Sequence, residues 1–147
     1  PHGPLERGSA RTDATAAVNL VTDTHALIWY LAGQHRRLSP RARRAFEEAD
    51  AGRRTMHVPA VVLAEIVLLE QRGRLRVSYA ELRQQIALRQ GFPIEPLLAE
   101  DVDEARALGD LPDPFDSLIA GTAVRLGVPL LTVDETITAS GLVPTFW

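Results

Sequence analysis

The chain has 147 residues, of which 46% are hydrophobic and 24% charged, and its formal net charge is −3. That is the length and composition of one globular domain, and a weakly negative charge excludes nucleic-acid binding through global basicity while leaving local patches open. There is no cysteine, and all sixteen basic residues are arginine, which excludes disulfides, thiolate metal sites, cysteine nucleophiles, phosphate-loop NTPases, protein kinases and lysine Schiff bases.

Residues 1–17 are rich in Gly, Pro, Ser, Thr and charge, with no apolar periodicity and no apolar run of a secretory signal. They read as a tail or cloning remnant outside the fold, leaving residues 18–147 as the domain. Val18 to Thr22 reads as a first strand that ends at Asp23, and Ala26 to Leu31 as an apolar helix that stops at Gly33. Ser39-Pro40 is an N-cap and first-position pair opening an amphipathic helix to about Ala51. Arg36, Arg37, Arg41, Arg43 and Arg44 cluster there; they suit a solvated face partnered by Glu47 and Glu48, or contacts to phosphate.

Met56 to Val58 reads as a second strand, and Pro59 to about Arg72 as a helix apolar nearly all round, hence central. Glu65 in its middle is anomalous, because a buried carboxylate is costly unless it is paired or binds a cation. Ser78 and Glu81 have capping-box spacing for a helix to about Gln90, and Phe92 to Leu97, with two prolines, reads as an edge strand or extended connection. Glu100, Asp101, Asp103 and Glu104 read as solvated acids in the first turn of the next helix.

Asp113-Pro114 is again an N-cap and first-position pair, Leu118, Ile119, Thr122, Ala123 and Leu126 recur at helical spacing, and Gly127 closes that helix. Val128 to Val133 is an apolar run without alternation, suited to a parallel strand covered on both faces, and Val143 to Phe146 adds a last strand. The longest apolar run, Val58 to Leu69, is interrupted by Glu65 and is too short to span a bilayer.

Alternating strands and helices predict an α/β fold, with a mostly parallel central sheet of four to five strands sandwiched by helices. In that fold Asp23 and Asp134 lie at strand ends on one edge of the sheet. Asp116 sits in the first turn of a helix entering from that edge, and Glu65 about two turns into a helix leaving it. Four converging carboxylates repel one another, and a bound divalent cation such as Mg²⁺ resolves the conflict.

Asp23-Thr24-His25-Ala26-Leu27-Ile28-Trp29, the Glu65 helix, Asp113-Pro114-Phe115-Asp116 with Ile119-Ala120, and Leu131-Thr132-Val133-Asp134-Glu135 together resemble a PIN domain, over residues 18–147. More narrowly, they resemble VapC, the toxin ribonuclease of bacterial VapBC toxin–antitoxin pairs. The resemblance implies a Mg²⁺- or Mn²⁺-dependent endoribonuclease of the cytoplasm, with Asp23, Glu65, Asp116 and Asp134 catalytic and Asp23, Asp116 and Asp134 as metal ligands. It also implies that the Thr132 hydroxyl helps to hold the metal's water, while Asp113 is a weaker candidate already explained by capping. The implied partners are RNA (tRNA or another structured RNA being the family's usual target), an antitoxin placing an Arg or Lys near the acids, and a second copy of the chain. Trp29, Tyr30 and the Val61 to Leu69 helix are the candidate apolar contacts for those interfaces.

The sequence departs from the family pattern at Ser117, where relatives often carry a basic residue, and in lacking a histidine just before Asp-Pro-Phe-Asp. Neither departure touches the four acids. A receiver domain is excluded by the lack of lysine, and a nicotinamide enzyme by the lack of Gly-x-Gly-x-x-Gly. A DNA-flap nuclease lacks the insertion needed to thread a strand. A non-cutting PIN-fold binding module is the alternative that fits the sequence next best.

Overall fold

A computed structural model describes residues 18–109 and 111–147; the expected tail at 1–17 lies outside the described residues. Strand β1 (Leu20–Thr22) is fully buried and runs into helix α1 (Thr24–Leu31). A 3₁₀ turn at His35–Arg37 leads to α2 (Pro40–Asp50), capped by Ser39, whose Oγ accepts from the Ala42 N–H at 3.0 Å. Then β2 (Met56–Pro59) passes directly into α3 (Ala60–Gln71), and α4 (Tyr79–Ala87), β3 (Ile94–Glu95) and α5 (Ala99–Leu108) follow. The chain closes with α6 (Pro114–Leu126), β4 (Leu130–Leu131), α7 (Glu135–Ser140) and β5 (Thr145–Phe146).

The five strands form one all-parallel sheet in the order β3-β2-β1-β4-β5. Three paired strands are only two residues long, shorter than the apolar runs that announce them. Helix α7 is an addition to the sequence reading. Asp134 caps it, accepting from the N–H groups of Thr136 and Ile137 at 2.8 and 3.2 Å, and Gly141 ends it in the left-handed conformation. Helix α6 starts and stops where its punctuation predicts, with Asp113 accepting from the Phe115 N–H and Gly127 at φ 70°.

Three expectations are corrected. Helix α3 is not central all round: Val61, Val62 and Ile66 are buried, but Ala64 is exposed and Val67, Leu68 and Leu69 are only half-buried. Tyr30 is not the exposed apolar side chain expected for an interface. It is buried, stacks on Phe46 with ring centroids 4.7 Å apart, and donates its hydroxyl to Asp50. Asp101 is not solvated. It is 0% exposed, ion-paired to Arg125 and accepts from the Leu98 N–H at 3.0 Å.

The Asp101–Arg125 pair ties α5 to α6, and the two helices are close enough that a Cβ on Gly121 would lie 2.4 Å from the Asp101 carbonyl oxygen. Removing the guanidinium leaves a buried carboxylate without a counter-charge, a loss of about 3–5 kcal/mol. Arg125→Met should therefore lower the stability measured by urea unfolding by about 3 kcal/mol. Adding Asp101→Asn should recover most of the loss, since the amide oxygen still caps Leu98 and no buried charge remains. A double variant as unstable as the single would show that packing, not charge, sets the effect.

Candidate active site

The chain goes from β1 outward to β2 and β3, then returns to the other side of β1 for β4 and β5. The direction of progression thus reverses between β1 and β4, and ligands of open parallel sheets bind outside the carboxyl ends of the strands at such a reversal. Asp23 directly follows β1, and Asp134 follows β4 by three residues. Pairing of Val21 with Leu130 and Thr22 with Leu131 fixes those two ends side by side.

A cavity of about 190 Å³ opens at this point, lined by Asp23, Thr24, His25, Trp29, Glu65, Asp113, Asp116, Val133 and Asp134. All four acids singled out from sequence line it, together with Asp113. Asp23 is only 8% exposed. Its Oδ1 accepts from the Ala26 N–H at 2.9 Å, capping α1, and its Oδ2 accepts from the Thr132 hydroxyl. Thr132 Oγ1 in turn accepts from the Asp134 N–H at 3.0 Å. Thr132 therefore fixes the orientation of Asp23 and the turn that carries Asp134, without lining the cavity itself.

Glu65 reaches the cavity from α3 and accepts a hydrogen bond from the Thr24 hydroxyl. Thr24 was not identified from sequence. Its only local signal is a hydroxyl directly after Asp23, and its partner lies 41 residues away. His25 and Trp29 were likewise missed as lining residues, although their spacing of four puts them on one face of α1. Their rings are 6.2 Å apart.

Burial, opposed by the hydrogen bonds from Thr132 and Ala26, raises the Asp23 pKa from 3.8 to about 6. Burial first, then the charges of Asp113, Asp134, Glu65 and Asp23, raise that of Asp116 from 3.8 to about 7. Desolvation dominates both shifts, and at Asp116 the neighbouring acids add to it. The acids offer oxygen donors, as a hard divalent cation prefers, and His25 adds an imidazole to the lining. Among the described residues no three Asp, Glu or His side chains lie close enough to share an ion as they stand. Asp23, Asp116 and Asp134, the ligands expected from sequence, all line this cavity and carry the oxygen donors that such a cation takes.

Both shifts mean that the folded chain holds protons that the unfolded chain releases near pH 4. Between about pH 4 and 7 the folded state binds more protons, so metal-free stability from these groups is greatest at low pH and falls as pH rises. In EDTA, Asp116→Asn should raise the melting temperature at pH 8 by about 2–4 °C, the shift for roughly 1 kcal/mol after allowing for solvent screening of a half-exposed group. At pH 3.5, below that window, it should change little. An equal change at both values would remove the electrostatic explanation.

The family model for the PIN domain matches residues 20–139. No curated protein matches the chain. Among solved structures, a chain of VapBC2 from Rickettsia felis, bound to a promoter DNA fragment, is similar with TM-score 0.64 at 14% identity, covering 88% of this chain and 98% of that one. DNA-bound VapBC from Salmonella typhimurium gives TM-score 0.64 at 14% identity, covering 88% and 97%. VapC20 of Mycobacterium tuberculosis, a toxin that cleaves the sarcin–ricin loop, gives 0.59 at 20% identity, covering 84% and 96%. At these identities the likeness is one of fold. The family match over most of the chain, on the strands and helices that bring the acids to one sheet edge, shows that this protein belongs to the PIN domain family.

Proposed function

We propose that the protein is a metal-dependent endoribonuclease and the toxin of a type II toxin–antitoxin pair. The observation that carries this reading is the convergence of Asp23, Glu65, Asp116 and Asp134 on one cavity at the strand-order reversal. Asp23, Asp116 and Asp134 would hold Mg²⁺ or Mn²⁺. When bound, such an ion lowers the pKa of a coordinated water and polarises a phosphoryl oxygen.

The protein's own groups supply the rest. Thr132 keeps Asp23 from rotating, because its hydroxyl donates to one carboxylate oxygen while the Ala26 N–H occupies the other. Thr24 holds Glu65 with one oxygen engaged, leaving the second to accept a proton from the attacking water. The Asp134 side chain is restrained by two backbone N–H groups of α7. No protein nucleophile is required.

The VapBC likeness supports an antitoxin partner. A second cavity of about 410 Å³, lined by Glu65, Leu68, Leu69, Arg72, Pro112, Asp113, Pro114 and Phe115, shares Glu65 and Asp113 with the acidic one. An antitoxin segment laid over these half-buried apolar side chains could place an arginine or lysine on the carboxylates as a charge-assisted lock. A second copy of the chain is the other partner in this reading. Among the described residues no helix is long and apolar enough to cross a membrane, and the cytoplasm is the proposed location.

Purified protein should cut a labelled RNA pool with Mg²⁺ or Mn²⁺ and not with EDTA. Asp23→Asn and Asp116→Asn should each reduce the rate at least about 100-fold, the scale of losing one main stabiliser of transition-state charge. Thr132→Val should reduce it about 10–100-fold by freeing Asp23. Cleavage unchanged in Asp116→Asn would overturn the assignment. RNA binding without cleavage by the metal-loaded wild type would favour the non-cutting PIN-fold module.

A further inference from the structure

The acidic cavity does not end at the carboxylates. His25 and Trp29 also line a neighbouring cavity of about 280 Å³, whose far wall includes Arg37, Arg74 and Arg76. Arg37 and Arg76 line a third of about 470 Å³ together with Arg36. The three concavities therefore follow one another through shared lining residues, with acids in the first and arginines in the last.

Ion pairing separates these arginines from four others in the chain, and their place along the shared cavities separates them from the remaining unpaired ones. Arg43, Arg54, Arg89 and Arg125 are each ion-paired, to Glu47, Glu48, Asp50 and Asp101. Arg36, Arg37, Arg74 and Arg76 are exposed, and none has a carboxylate partner among the described residues. They come from two separate segments, the 3₁₀ turn after α1 and the connection after α3, brought to one side of the molecule. Arg37 lies over the Trp29 ring, 4.5 Å from its centroid. Guanidinium groups and an aromatic face side by side are the elements of single-strand recognition: phosphates meet the cations and bases stack on rings or guanidinium planes.

We infer that a single-stranded RNA segment flanking the scissile phosphate runs from the acidic cavity past His25 and Trp29 onto Arg37, Arg74, Arg76 and Arg36. This rests on the nuclease reading for the position of the cut, but the binding track is testable without cleavage. The alternative occupant, an acidic protein segment, would need the cations but not the path into the carboxylates.

The test is fluorescence anisotropy of a labelled single-stranded oligoribonucleotide of about eight nucleotides, within the range of one strand-binding domain, titrated with the full chain in EDTA at several salt concentrations. Arg74→Ala/Arg76→Ala should weaken binding about tenfold or more, the worth of a hydrogen bond to a charged group. It should also reduce the slope of log affinity against log salt by about 1.4, at about 0.7 for each phosphate no longer neutralised. Arg106→Ala, an exposed arginine lining none of the three cavities, should change neither. Neither of the paired positions has a described packing role, and circular dichroism checks that the variants fold.

Binding that follows these arginines, with no metal-dependent cutting by the wild type, would uphold the track and remove the nuclease reading. Normal cutting with affinity and salt slope unchanged in the double variant would remove the track and leave the nuclease reading. Binding of an oligo-glutamate peptide but not RNA through the same arginines would overturn the proposal in favour of an acidic protein partner.

Discussion

The hydrogen bond from Thr132 to Asp23 joins the ends of two neighbouring strands at the point where the order of the sheet reverses. Both oxygens of a nearly buried carboxylate are occupied, one by this hydroxyl and one by the Ala26 N–H. Each bond favours the charged form, yet burial outweighs them and leaves the pKa at about 6. The balance is therefore set by position. A carboxylate at the carboxyl end of a central strand is desolvated by the sheet itself, and only a cation or a proton completes its environment.

The short strands fit this purpose. β4 contributes two paired residues, but its register against β1 brings Thr132 and Asp134 beside Asp23, and a one-residue slip would turn the hydroxyl to the other face. Asp134 then serves the backbone of α7, as Asp23 serves α1 and Asp113 serves α6. Three of the acids around one cavity are helix caps. Capping holds a carboxylate in place through its own local turn, so the cluster can persist despite repulsion, and Asp116, which caps nothing, is the member whose proton affinity rises furthest.

Local signals made much of this legible in the sequence. Asp113-Pro114 and Gly127 mark the ends of α6 because the physics of helix termini is confined to a few neighbouring residues. The apolar runs located the strands, and alternation of elements gave the parallel sheet and hence the edge where the acids meet. What stayed hidden depends on partners far along the chain. Asp101 looks solvated in its own helix turn, and only Arg125, 24 residues later, allows it to be buried. Tyr30 reads as one more apolar position on α1 until Phe46 and Asp50 supply its stacking face and hydrogen bond. Thr24 gains its role only when α3 brings Glu65 across. In each case one half of the pair carries no local mark of the other.

The same distance problem governs the charge of the molecule. A net charge of −3 suggests a surface that repels RNA, and the acidic cavity would do so most strongly at the place where the proposed reaction seats a phosphate. Screening decides the matter: at physiological salt a charge is felt over about 8 Å, so the local arrangement outweighs the net total. Four arginines without carboxylate partners among the described residues line cavities continuous with the acids, while several others are neutralised by neighbouring carboxylates. The pairing of the latter therefore shapes the field as much as the freedom of the former. In the proposed reading, a strand held by its flanking phosphates on the arginines of the neighbouring cavities would approach the carboxylates with part of their repulsion already offset.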